Sequence, residues 1–139
     1  MNLLPALFAA SAVILTAGAA QAADITGLWA TDSDNGRVQI YNCGEGICGK
    51  LVDADQLRTN PNQTDAYNKN KAQRSRKVKG LVLFSGYTGG PNDWKGGAIY
   101  DPKSGDTGRN GKLKLNGDKL EVKGCLGPIC RTKHWKRVG

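Results

Sequence analysis

From residue 25 onward the apolar positions fall in short alternating runs, separated by Asn-Gly, Asp-Pro and Gly-Gly pairs. An alternation of period two bounded by turn formers is the pattern of antiparallel strands with one buried face. The runs predict strands over Ile25–Thr31, Arg37–Cys43, Cys48–Val52, Lys79–Tyr87, Trp94–Tyr100, Gly111–Leu115, Lys119–Cys125 and Cys130–Val138. No segment carries sustained helical periodicity. Strands of this number and length suit a small closed barrel, which leaves no exposed edge. The expected class is therefore all-β: a small antiparallel barrel of roughly eight strands.

The segment Lys112 to Val122 allows its register to be argued. A two-residue Asn116-Gly117 loop would set Lys114 against Lys119 and Leu115 against Asp118, which is electrostatically poor. A four-residue loop instead pairs Leu115 with Leu120, Leu113 with Val122 and Lys114 with Glu121, and is preferred. It yields one apolar face and one charged face. Carried through a second hairpin between Cys125 and Cys130, the same parity sets Leu120 against Trp135 and Val122 against Lys133. Arg131 and Arg137 then share the inward side. Either a bulge at the Gly-Pro loop turns Arg131 and Lys133 outward, or they line a barrel mouth able to receive an anionic group.

Residues 1 to 23 contain no charged side chain, and an apolar run ends in Ala20-Gln21-Ala22. This is the form of a secretory signal peptide, expected to be cleaved after Ala22, with residues 23 to 139 left as a single domain. Its one atypical feature is an amino-terminal region, Met1-Asn2, that lacks Lys and Arg. Four cysteines follow, Cys43, Cys48, Cys125 and Cys130, in two Cys-x4-Cys pairs. An even count in an exported chain favours disulfides over a thiolate metal site. The spacers are rich in turn formers, so local bridges Cys43–Cys48 and Cys125–Cys130 are expected, with pairing between the two hairpins as the alternative. The compartment is then the periplasm or the medium.

The formal net charge of +8 belongs wholly to residues after the leader. Between Asp53 and Val78 the strand pattern dissolves into polar residues, too long a stretch for an ordinary hairpin. Its second half carries Lys69, Lys71, Arg74, Arg76, Lys77 and Lys79 with no acid. That segment is either a solvated loop or one that contacts an anion.

Most catalytic chemistry lacks its residues. His134 is the only histidine, so sites built on two histidines are excluded. Ser85 is not in a nucleophile elbow, because Leu83 stands where the first glycine belongs. Asp32 to Gly36 lacks the later ligands of a calcium loop and reads as a turn on Asn35-Gly36. Asp93, Asp101 and Asp106 are the candidates for a carboxylate pair. Trp94, Tyr87 and Tyr100 can stack, yet no stretch interleaves basic and aromatic residues as nucleic-acid faces do. No metal, cofactor or nucleic-acid partner is expected.

Taken in order, a set of short motifs runs through nearly the whole mature chain: Gly27-Leu28-Trp29; Cys43 with Cys48-Gly49-Lys50-Leu51; Asp65-x-x-Asn68; Arg74-x-Arg76; Gly80; Trp94-x-Gly96-Gly97-x-Ile99-Tyr100-Asp101-Pro102; Gly105; and Gly124-Cys125 with Cys130-Arg131 through Trp135-x-Arg137. This set resembles the bacterial domain-of-unknown-function family 2147. The resemblance implies an exported domain with a lipocalin-like antiparallel barrel, and no particular activity. Family members tend to carry prolines where this chain has Lys69 and Lys71, and an aromatic where it has Gly108. Gly27-x-Trp29 is also similar to the first strand of lipocalins, where the Trp closes the barrel beneath a late Arg. Arg137 is its match, which makes Trp29 and Arg137 structural.

The function expected from all this is a non-enzymatic binding module for an anionic small molecule or cell-envelope component. Asp65, Asn68, Arg74, Arg76, Lys77, Trp94, Tyr100, Asp101, Arg131 and Lys133 are its candidate contacts. An interaction or inhibitor module with an acidic partner is the alternative, and a carboxylate-dependent hydrolase the third reading.

Overall fold

The computed structural model describes residues 9–14 and 24–139. The leader expected over residues 1–22, with its cleavage site, lies outside the described residues except for 9–14.

Nine strands form one antiparallel sheet: β1 Gly27–Ala30, β2 Arg37–Cys43, β3 Gly46–Asp53, β4 Val82–Gly89, β5 Asp93–Lys95, β6 Ala98–Asp101, β7 Asp106–Asn116, β8 Lys119–Leu126 and β9 Ile129–Arg137. Their order is β5-β4-β3-β2-β1-β9-β8-β7-β6, and β5 also pairs with β7. That pairing closes a ring of eight staves, with β6 continuing β5 along the same edge of β7. The stave expected over Trp94–Tyr100 is thus broken in two. The break falls at Gly96-Gly97, where a side chain on Gly96 would collide with the Tyr87 ring. Strand β7 also begins earlier than expected, at Asp106. Asn110, at φ 53°, sits at a register shift where β7 gains a residue on β8. Such a bulge bends a stave around a barrel.

Alternation explains the core. Val38, Ile40, Leu113, Leu115, Leu120, Val122 and Trp135 point inward and are buried together with Trp29. The β7–β8 hairpin has the favoured register, Leu113 against Val122, Lys114 against Glu121 and Leu115 against Leu120, closed by Gly117-Asp118 after an Asn116–Lys119 pair. Strands β8 and β9 pair without interruption from Lys119–Lys136 to Leu126–Ile129. There is no bulge at the Gly-Pro loop, so Arg131 and Lys133 keep the inward parity of Trp135. The β1–β2 turn lies one residue earlier than expected. Asp34 and Asn35 both have positive φ, and Gly36 donates to the Ser33 carbonyl at 3.1 Å.

Both disulfides are local, Cys43–Cys48 and Cys125–Cys130. The first ties β2 to β3 at the end of the barrel shared with the β7–β8 turn. There the Arg137 guanidinium lies 4.5 Å from the centre of the Trp29 ring and donates to the Thr26 carbonyl at 2.9 Å. The second fastens the β8–β9 hairpin at the opposite end. A short helix, α1 Asp55–Thr59, opens the long polar connection. No helix among the described residues is long and apolar enough to cross a membrane.

Candidate functional site

The end of the barrel bearing the β1–β2, β6–β7 and β8–β9 turns is open, and a cavity of about 670 Å³ runs inward from it. That volume is within the range of small-molecule sites. Its depth is apolar, formed by Leu51, Leu83, Val122 and Trp135, and its mouth is ringed by charge. Along β9 the inward positions read Ile129, Arg131, Lys133, Trp135 from rim to depth. Two cations therefore stand about 7 Å apart along one stave, the spacing of alternate residues in a strand. Neither Arg131 nor Lys133 makes an ion pair among the described residues. Asp32, Asp34, Asp101 and Asp106 share the mouth with Lys103, so the opening as a whole carries both signs.

Residues 54 to 81 form one wall of this mouth. The segment looks disordered in sequence because it is polar, yet Ala54, Leu57, Val78 and Leu81 are buried in the core. Its inner frame is Asp65, which has no exposed surface. One carboxylate oxygen accepts from the Tyr100 hydroxyl at 2.6 Å, and the other from Asn68 Nδ2 and Arg76 Nε, each at 2.9 Å. The Arg76 guanidinium also lies over the Tyr100 ring, 5.3 Å from its centre. Burial pushes the Asp65 carboxyl up, but the bonds from Tyr100, Asn68 and Arg76 more than reverse this and hold it below the usual carboxylate range. Burial and the neighbouring carboxylate push the Tyr100 phenol up to about 12.

The loop is fastened to the barrel on both sides. Asp55 donates its backbone N–H to the Asp34 carbonyl, and Asn35 Nδ2 donates to the Asp55 carboxylate, at 2.9 and 2.8 Å. Across the mouth, Lys69 Nζ lies 3.1 Å from Asp106. Gly105, at φ +73°, abuts the Tyr67 carbonyl with no room for a Cβ. The Lys69 ammonium beside it holds the Asp106 carboxyl below its ordinary value.

The candidate residues divide accordingly. Asp65, Asn68 and Arg76 of the loop come together with Tyr100 of β6, and Arg74 Nε donates to the Asn68 carbonyl at 2.7 Å. The charges of Asp65 and Arg76 face one another, while Arg74 is exposed. Lys77 sits on an isolated bridge with Thr64 and is exposed. Tyr100, Asp101, Arg131 and Lys133 line the cavity. Trp94 is buried in the core toward the opposite end, and Asp93 points outward on β5, far from the other two carboxylates. Asp101 faces Asp106 across the β6–β7 turn, but Asp106 is held ionised, opposite to what a general acid requires. Sequence pattern alone misses Leu57, Tyr67 and Lys103 at the mouth. Tyr67, between Asp65 and Asn68 and 66% exposed, had only its place in that motif to signal it.

The family model described as "Uncharacterized protein conserved in bacteria (DUF2147)" matches residues 27–137, from β1 to the end of β9. The chain belongs to this family. Among solved structures, this DUF2147 member is similar to protein HP1028 from the human pathogen Helicobacter pylori, which belongs to the lipocalin family. The two share 21% identity over 84% of each chain, with a TM-score of 0.72. At that identity the likeness shows the fold: a lipocalin-like barrel. A search of curated proteins gave no match.

Proposed function

We propose that this DUF2147 protein is an exported, non-enzymatic binding module whose barrel holds a small amphipathic molecule, apolar in the depth of the cavity and anionic near the mouth. The observation that carries this reading is the pair Arg131 and Lys133, set without ion-pair partners on the inner wall above the apolar surface of Val122 and Trp135. Both side chains are exposed at the mouth, and a carboxylate or phosphate between them would give each a partner. The leader sequence and the two disulfides support an oxidising compartment outside the cytoplasm. Of the basic loop's cations, Arg76 is paired with Asp65 and Lys69 with Asp106, so neither is free for the cavity ligand on this reading.

The test compares a fluorescent long-chain carboxylate with its methyl ester. Wild type should bind the carboxylate more tightly. Arg131→Ala/Lys133→Ala should lose about tenfold for the carboxylate, as expected for removing charge-assisted hydrogen bonds, and little for the ester. Equal affinity of wild type for the two probes, or no uptake of either, would sink the reading. An interaction module for an acidic partner is the second reading, favoured by the charge of the outer wall.

A further inference from the structure

The outer wall of the barrel over β5, β7, β8 and β9 is a field of lysines built by register. Lys95 pairs with Lys112, Lys112 with Lys123, and Lys119 with Lys136. In each pair both side chains point away from the core. Like charges directly opposite one another destabilise a sheet; two of these pairs share Lys112, and the third, Lys119–Lys136, lies beyond the row of Asp93, Lys114, Glu121 and His134. Among the described residues, the acids on the strands of this wall are Asp93 and Glu121, with Asp118 in the turn before Lys119, against Lys95, Lys112, Lys114, Lys119, Lys123 and Lys136. Lys114 lies between Asp93 and Glu121 across the strands, and Glu121 is shared with His134 at 3.8 Å. The remaining lysines make no ion pair among the described residues.

This field runs toward the open end. Arg109, exposed and opposite Cys125, extends it to the β8–β9 hairpin, whose tip carries Leu126 at 49% and Ile129 at 63% exposure. Both also line the rim of the cavity. The exposed tip is apolar on its mouth side and the wall behind it is basic, and a soluble polyanion would meet only the charged part. A bilayer with anionic headgroups meets both.

We infer that this wall and hairpin form a docking surface for an anionic lipid bilayer, with the lysines on the headgroups and Leu126 and Ile129 dipping into the interface. In this pose the barrel lies along the bilayer, with the cavity rim at the hairpin tip meeting the interface and Lys119 and Lys136, beside the β7–β8 turn, on the headgroups. The docking does not rest on the binding reading above.

The test is co-sedimentation with vesicles of phosphatidylcholine, alone or with about one third phosphatidylglycerol. At roughly physiological salt, where charge acts over about 8 Å, the protein should partition onto the anionic vesicles and not the neutral ones. Lys112→Gln/Lys119→Gln/Lys123→Gln should lose roughly a hundredfold in partitioning, since each lysine near an anionic surface contributes about a factor of five. Its fold should survive, because the substitutions relieve repulsion, and circular dichroism verifies this. Ile129→Asn should lose about tenfold, set by the apolar surface withdrawn from the interface. Equal binding to neutral vesicles, or undiminished binding by the triple variant, overturns the inference. So does retention of the protein by soluble polyglutamate in competition with vesicles, which would assign the wall to an acidic macromolecule. Uptake of the carboxylate probe by the triple variant should match wild type. If vesicles bind but the probe does not, the cavity reading fails and the docking surface stands.

Discussion

Replacing Asp65 with alanine removes the acceptor for three donors at once. Asn68 is buried and keeps its bond to Gln73 at 3.2 Å, but one amide hydrogen is left without an acceptor, which costs about 2 kcal/mol. The Tyr100 hydroxyl, half-buried, adds about 1 kcal/mol. Arg76 is about a third exposed and can turn to water, so its share is small. The expected loss is about 3 kcal/mol, or roughly 12 °C in Tm for a domain of this size. Asp65→Asn is a sharper probe. The amide oxygen can accept from Asn68 and Arg76 while its NH2 donates to the Tyr100 oxygen, so only the charge is lost and the cost falls to about 1 kcal/mol.

The pH dependence has a definite sign. The folded pKa of Asp65 lies below its ordinary value, so its stabilisation is complete above the unfolded value near 4 and is lost as the pH falls through the folded one. Urea unfolding followed by circular dichroism at pH 7 and pH 3 measures both effects through the midpoint, provided the slope is unchanged. The gap between wild type and Asp65→Ala should narrow at pH 3. A loss under 1 kcal/mol at pH 7, an equal gap at both pH values, or an Asn variant as damaged as the Ala variant would each refute the reasoning.

Two further predictions concern the same wall and its neighbours. Burial pushes both Tyr87 and Tyr100 up to about 12, so ultraviolet titration should show two of the four tyrosines ionising only near that pH, and one of these should vanish in Tyr100→Phe. Because the folded state favours the neutral phenols, stability should decline once the pH exceeds about 10, and a flat profile from pH 9 to 11.5 would count against it. Gly105→Ala drives a methyl group into the Tyr67 carbonyl at a positive φ. It should cost about 2 kcal/mol and raise hydrogen exchange at Tyr67 to Asn70, whereas an unchanged exchange pattern would show that the loop is not seated there.

Much of the barrel is legible because its staves alternate. The Leu113, Leu115, Leu120, Val122 and Trp135 set fixes register and inward face in β7 to β9, and the cysteine spacers carry both local bridges. The start of β7 hides because Asp106-Thr107-Gly108-Arg109 offers no apolar alternation, being solvent-facing on one side and cavity-facing on the other. The break in β5–β6 hides because it depends on Tyr87, on another stave, occupying the space at Gly96 and Gly111. In the long loop, a cation bound to a buried carboxylate and one in water look the same in sequence. Arg76 reads as a solvated or anion-contacting cation because nothing nearby announces that Asp65 is sealed under Tyr100, 35 residues away.

The first and last strands also meet. Strand β1 pairs with β9 through Trp29–Arg137 and Ala30–Lys136, and Leu28 exchanges backbone hydrogen bonds with Val138 and Gly139. The two disulfides each join cysteines five positions apart, so neither ties one part of the circuit to another. The barrel is therefore a ring whose opening point along the chain is not dictated by its topology. A short linker from Gly139 to Asp24, with a new start between Gly117 and Asp118, would give a circular permutant in which the seam beside Trp29 becomes an internal hairpin and the cavity keeps its walls.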